Sequence, residues 1–125
     1  VERLRSLVNV ETGIITREDT EIVKSRAKKL KITELHLGVL EKDKILNEIL
    51  ERKNLSIEEV AYIGDDTNDI EIMKRVGLSA CPNDATEFAK NAADYITKNN
   101  GGNGAFRDFA ELIIQAKLKL KREKK

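Results

Sequence analysis

Apolar positions along this chain recur at two different spacings, and the alternation between them predicts an α/β fold. Leu4, Leu7 and Val8 share one side of a helix over residues 1–8, and Gly13-Ile14-Ile15-Thr16 reads as a short strand finishing in a hydroxyl. Val23, Ala27 and Leu30 mark the buried stripe of the next helix, with Asp19 or Thr20 as its cap. Leu35 to Val39 is a strand, and Ile45, Leu46, Ile49 and Leu50 define the inner face of a second long helix. Val60 to Ile63 opens a central strand, Ile70, Met73 and Val76 line a helix, and Gly77 is expected to end it in the left-handed conformation. Leu78 to Cys81 is a strand stopped by Pro82, Asn83 or Asp84 caps a helix reaching about Asn91, and Ala93 to Thr97 is the last strand. Phe106, Phe109, Ala110 and Ile113 form the stripe of a closing helix. Strands and helices alternating at these lengths imply a doubly wound, Rossmann-like parallel sheet in three layers with right-handed crossovers.

The most informative stretch is Val60-Ala61-Tyr62-Ile63-Gly64-Asp65-Asp66-Thr67-Asn68-Asp69, where a buried strand breaks at a glycine and delivers acids to the start of a helix. Ligands of open α/β sheets bind at such strand ends. Oxygen donors of this kind suit a hard ion such as Mg²⁺. Asp66, Thr67 or Asn68 equally serve as helix caps, whereas Asp65 lies too early to belong to the first turn.

Composition narrows the alternatives. The 125 residues amount to one domain over 1–125 with a single aliphatic core. A formal net charge of +1 gives no general argument for nucleic acid, and the basic run at 115–125 reads as a solvated helix face or tail. A nucleic-acid binder using that run is the weakest reading. No apolar stretch is long enough to span a bilayer and nothing resembles a secretory leader. With the single Cys81 read as a small buried hydrophobe, a cytoplasmic, reduced protein is the expectation. His36, without a partner at ligand spacing, is expected at a surface or rim.

Thr16, Lys44 and Asp65 all fall at or near strand carboxyl ends or the loops that leave them. A hydroxyl donates to a phosphoryl oxygen, an ammonium neutralises its charge and a carboxylate holds Mg²⁺ against it, the elements of electrostatic catalysis of phosphoryl transfer. Each has a simpler reading too: strand-end hydrogen bonder, surface lysine, turn acid.

Taken in order, Ile14-Ile15-Thr16, Lys44, Gly64-Asp65-Asp66 with Asp69, Val76-Gly77-Leu78-Ser79, Ala93-Asp94-Tyr95-Ile96-Thr97 and Gly101-Gly102-Asn103-Gly104-Ala105-Phe106-Arg107 resemble the haloacid dehalogenase-like phosphatases. Within these the chain is similar to the capless branch containing 3-deoxy-D-manno-octulosonate 8-phosphate phosphatase and the phosphatase-like domains of acylneuraminate cytidylyltransferases. The resemblance implies that Thr16 hydrogen-bonds the transferring phosphoryl group, that Lys44 steadies its charge, and that Asp65 is a Mg²⁺ ligand with Asp66 and Asp69 in support. It also implies substrate binding by Arg17, Gly102 and Arg107, a phosphorylated sugar acid as substrate, and a homotetramer. Asn103 stands where many relatives carry arginine, and Arg17 where many carry glycine.

Relatives open with a strand ending in Asp-x-Asp, whose first aspartate attacks phosphorus to give an aspartyl-phosphate, followed by a hairpin. No such motif precedes Thr16 in this sequence, so the first strand and hairpin are expected to be absent from it. Two readings follow: a phosphatase active when an aspartate-bearing segment is present, and a non-catalytic oligomerisation domain.

Overall fold

The structure, a computed structural model, describes residues 1–16, 20–32, 34–101 and 104–123, with side chains through Leu120. Its elements run α1 (Glu2–Val8), β1 (Gly13–Ile15), α2 (Glu21–Lys29), β2 (Glu34–His36), α3 (Lys42–Lys53), β3 (Ala61–Ile63), α4 (Ile70–Arg75), β4 (Leu78–Cys81), α5 (Glu87–Ala92), β5 (Tyr95–Ile96) and α6 (Ala105–Glu123). Every strand pairing is parallel, in the orders β1-β2 and β3-β4-β5. This is the α/β alternation that the apolar spacing predicts. The chain divides into two compact units, residues 1–41 with 110–125, and residues 42–109.

In the first unit β1 and β2 align Gly13 with Glu34 and Ile15 with His36. Thr20 caps α2 by accepting the Val23 N–H at 3.2 Å; Asp19, the alternative cap, lies outside the described residues. Leu4 of α1 packs with Ala110 and Ile114 of α6, joined by Val8, Val10, Ile113 and Leu118. Burying each such aliphatic side chain contributes on the order of 2 kcal/mol, which is what holds two amphipathic helices together here. His36 is partly exposed at a strand end, with Nε2 3.6 Å from Glu34 Oε1.

In the second unit β4 is the most buried strand, and Cys81 sits in a cluster with Met73 and Ala89, lined by Tyr62, Ala85, Ala92 and Ala93. The thiol is a core group, as composition suggests, and burial pushes its pKa up. Two local expectations are corrected. Gly77 is not left-handed: among the described glycines positive φ occurs at Gly38 and Gly104, and α4 ends through an extended Val76. The glycine is required by space, since a Cβ there would stand 2.0 Å from the Glu58 carbonyl oxygen. The α5 cap is Thr86, whose hydroxyl accepts the Ala89 N–H at 3.2 Å, rather than Asn83 or Asp84. Asp84 accepts instead from the Gly101 N–H, a partner too distant in sequence for a cap rule to foresee.

Candidate active site

The acidic loop leaves the carboxyl end of β3. Gly64 donates its N–H to the Ala80 carbonyl at 3.0 Å, extending the ladder by one residue. The chain then turns through Asp65 and Asp66 into a 3₁₀ turn, Thr67–Asp69, that folds Asp69 back onto Gly64. Only glycine leaves room for this return, because a Cβ at 64 would lie 2.5 Å from the Asp69 Cβ.

Asp69 is 1% exposed, and both of its oxygens are engaged. Oδ2 accepts the backbone N–H groups of Asp65 at 3.1 Å and Asp66 at 3.3 Å. Oδ1 accepts from the Tyr62 hydroxyl at 2.6 Å and from Lys42 Nζ at 2.9 Å. A buried carboxylate is tolerated when it is paired and fully hydrogen-bonded, and this one is both. Burial alone would raise its pKa; the bonds from Tyr62 and Lys42, the ammonium charge and the Asp66 N–H outweigh that and hold it below the usual carboxylate range. Tyr62 moves the opposite way. Burial first, then its bond to Asp69 and the charges of Asp69 and Asp65, push the phenol far above its ordinary value, so it stays a neutral donor.

Asp65 is differently placed: its backbone is tied down, while its residue surface is exposed. Partial desolvation, followed by the charges of Asp69 and Asp66, raises its pKa against the opposing pull of Lys42. An ionised carboxylate under such strain is one that a cation would relieve. Asp66 accepts the Thr67 N–H at 2.7 Å and so performs the capping role open to it in the sequence.

The ammonium that reaches this loop belongs to Lys42. Its side chain is 12% exposed, and that of its partner Asp69 is 2% exposed. Lys44, the lysine expected from sequence, is exposed two residues further along α3. Positions two apart on a helix point about 200° apart, so the two lysines do not share a face. Both open the same helix, and spacing alone did not separate them. Tyr62 was likewise missed; the only signal was a polar tip inside an otherwise apolar strand.

Thr16 follows β1 in the first unit, where its N–H donates to the His36 carbonyl at 3.0 Å and its carbonyl accepts the Val39 N–H at 2.9 Å. With Ile14, Ile22, Val23 and Arg26 it lines a mostly apolar hollow of about 230 Å³. Arg107 is exposed in the first turn of α6. Arg17 and Gly102 lie outside the described residues.

The loop's donor chemistry fits Mg²⁺. Asp65 offers a carboxylate, and Asn68 Oδ1 is a buried amide oxygen with no hydrogen-bond partner, both hard donors. They supply part of a shell: among the described residues no three carboxylate, imidazole or thiol groups come together as a ready-made metal site.

Comparison with known proteins follows the same line. The sequence profile of haloacid dehalogenase-like hydrolases matches residues 5–107. The 3-deoxy-D-manno-octulosonate 8-phosphate phosphatase KdsC of Escherichia coli K12 is 38% identical over 112 residues, covering 90% of this chain and 60% of that protein. The cobalt-bound deoxy-D-mannose-octulosonate 8-phosphate phosphatase of Haemophilus influenzae superposes with a TM-score of 0.87 at 31% identity, over 93% of this chain and 67% of that one. The 3-deoxy-D-manno-octulosonate 8-phosphate phosphatase of Moraxella catarrhalis, solved with magnesium, phosphate and KDO, gives 0.84 at 32% identity, over 86% and 62%. The chain spans about three fifths of the length of the curated relatives it matches.

Proposed function

The chain belongs to the haloacid dehalogenase-like hydrolase family, and on that premise we propose that it serves Mg²⁺-dependent hydrolysis of a phosphorylated sugar acid of the 3-deoxy-D-manno-octulosonate 8-phosphate type. The observation that carries the reading is the Lys42–Asp69 pair at the carboxyl end of β3, which fixes an ammonium beside the acidic loop and leaves Asp65 facing outward. Similarity to phosphatases with that printed substrate supports the substrate class, and the magnesium-containing relative supports the metal.

In this mechanism Asp65 would hold the cation, with Asn68 Oδ1 and Asp66 as the further oxygens the loop could offer. The bound ion would draw charge from the phosphoryl oxygens as a Lewis acid. Asp69 does not ligate; it orients the loop through two backbone amides and holds the Lys42 ammonium in place by an ion pair. Lys42, in place of Lys44, would neutralise the phosphoryl group, and the family resemblance implies the hydroxyl hydrogen bond of Thr16 and the reception of the sugar acid by Arg107, with Arg17 and Gly102. Asp65 cannot hold the cation and also attack phosphorus. The family resemblance implies that the attack falls to an aspartate of an Asp-x-Asp motif ahead of the Thr16 strand. Homotetrameric assembly in the cytoplasm belongs to the same proposal.

The test is phosphate release from 3-deoxy-D-manno-octulosonate 8-phosphate. It compares this chain with the same chain preceded by an Asp-x-Asp strand and hairpin of the kind the family resemblance implies. Mg²⁺-dependent turnover is expected from the extended chain, reduced at least about a hundredfold by Asp65→Asn or Lys42→Met and little changed by Lys44→Met. Turnover that survives Lys42→Met and falls with Lys44→Met would return the role to the lysine read from sequence. No turnover in either form, with a stable oligomer, would favour an assembly module.

A further inference from the structure

Between β5 and α6 the chain is tied by an unusual concentration of hydrogen bonds on one residue, Asn99. Its backbone N–H donates to Asp108 Oδ2 at 3.0 Å, and its Nδ2 donates to both Asp108 oxygens, at 3.2 and 3.0 Å. Its carbonyl accepts from the buried Thr97 hydroxyl at 2.7 Å and from the Asn83 N–H at 3.2 Å. Two residues on, the Gly101 N–H donates to Asp84 Oδ1 at 2.8 Å. The far end is fixed as well: Gly104 adopts φ +105°, and its carbonyl accepts the Asp108 N–H at 3.0 Å as α6 begins.

A carboxylate in the first turn of a helix ordinarily satisfies that helix's own free N–H groups. Asp108 instead reaches back nine residues to Asn99, and Asp84, which precedes the α5 cap Thr86, reaches forward seventeen to Gly101. Both acids hold the approach to the turn that carries Arg107, and neither touches it through a charge pair among the bonds described. A surface loop needs no such definition to fold, since loops tolerate variation and mobility. A guanidinium that must meet a planar carboxylate with both forks does need it, because the benefit depends on angle as well as distance.

We propose that Asp84, Asn99 and Asp108 form a clamp that positions Arg107 for recognition of the sugar-acid part of the substrate. The clamp acts through Arg107 and rests on the substrate reading given above. It predicts a selective defect: loosening it weakens binding of the sugar acid and spares the phosphoryl subsite.

Calorimetric titration of the Mg²⁺-loaded chain with 3-deoxy-D-manno-octulosonate 8-phosphate, and separately with inorganic phosphate, tests this. Asp84→Ala and Asp108→Ala are expected to weaken the sugar-acid phosphate at least about tenfold, as Arg107→Gln should, and to leave inorganic phosphate within about twofold. Asp84→Asn keeps an oxygen for the Gly101 N–H and should bind like the native chain. Equal losses for both ligands, undiminished sugar-acid binding in the alanine variants, or an Asp84→Asn variant as weak as Asp84→Ala would overturn the clamp while the substrate reading stood. A native chain that binds phosphate and not the sugar-acid phosphate would overturn the substrate reading and the clamp with it.

Discussion

Replacing Asp69 with asparagine changes one atom and removes the organiser of the acidic loop. The carboxylate presents two acceptor oxygens to four donors: Lys42, Tyr62 and the amides of Asp65 and Asp66. Asparagine has one acceptor. Whichever way its amide faces, an NH₂ group meets two donors, and the Lys42 ammonium loses its countercharge in a setting where its side chain is 12% exposed. Removing one partner of a buried pair costs about 3–5 kcal/mol, because the other charge remains desolvated. With a urea slope of about 2 kcal/mol/M, the unfolding midpoint of Asp69→Asn should fall by about 2 M at pH 7 with the slope unchanged. The pH dependence follows from sign. Asp69 has its folded pKa depressed, so its contribution is complete above the unfolded value of about 3.9 and is lost as pH falls through the lower folded value. The gap between native and variant should therefore close on acidification below about pH 4. A midpoint loss worth under about 1 kcal/mol at pH 7, or a gap that stays constant into that acidic range, would refute the reasoning.

Asp65→Asn should act in the reverse sense. Its folded pKa is raised, so ionisation at neutral pH opposes folding, and the substitution should raise the unfolding free energy in urea slightly, by about half a kcal/mol at most given the exposed position, with the gain vanishing in acid. The same variant should lose the stabilisation that millimolar Mg²⁺ gives the native chain in thermal melts; retention of that stabilisation would remove Asp65 as a ligand. Gly77→Ala places a methyl against the Glu58 carbonyl and should cost about 3 kcal/mol in urea unfolding, where a glycine needed only for a left-handed φ would cost about 1. A loss near the smaller value would mean that the backbone there yields.

The order of elements was legible because helical and strand periods differ, and every strand and helix expected from apolar spacing is present within a few residues. Family motifs carried Asp65 to the carboxyl end of β3 for the same reason: a glycine and acids directly after an apolar run have few other meanings. What stayed illegible depends on contacts distant in sequence. Lys44 was the lysine read from sequence, and the pairing of Lys42 with Asp69 is a contact across 27 residues that no local pattern shows. Gly77 and Asp84 each obey a local rule on paper, helix terminator and helix cap, and each is claimed in the fold by a backbone that sequence does not place beside it. Hydrogen-bonding geometry also set Asp69 apart as a buried organiser, a role sequence did not show, beside the capping role it had offered to Asp66.

Binding loops are ordinarily among the least protected parts of an α/β protein, opening many times for each global unfolding event. The arrangement around Asp69 removes that freedom. The Asp65 and Asp66 amides cannot exchange with solvent until Oδ2 releases them, and Oδ2 belongs to a side chain anchored at its other oxygen by α3 and β3. Local opening of the loop thus means breaking two bonds to a side chain that helix and strand hold in place. In exchange terms these two amides are expected to be slower than those of a loop without such an anchor, so the geometry offered to a ligand is held by side-chain bonds as well as by the backbone.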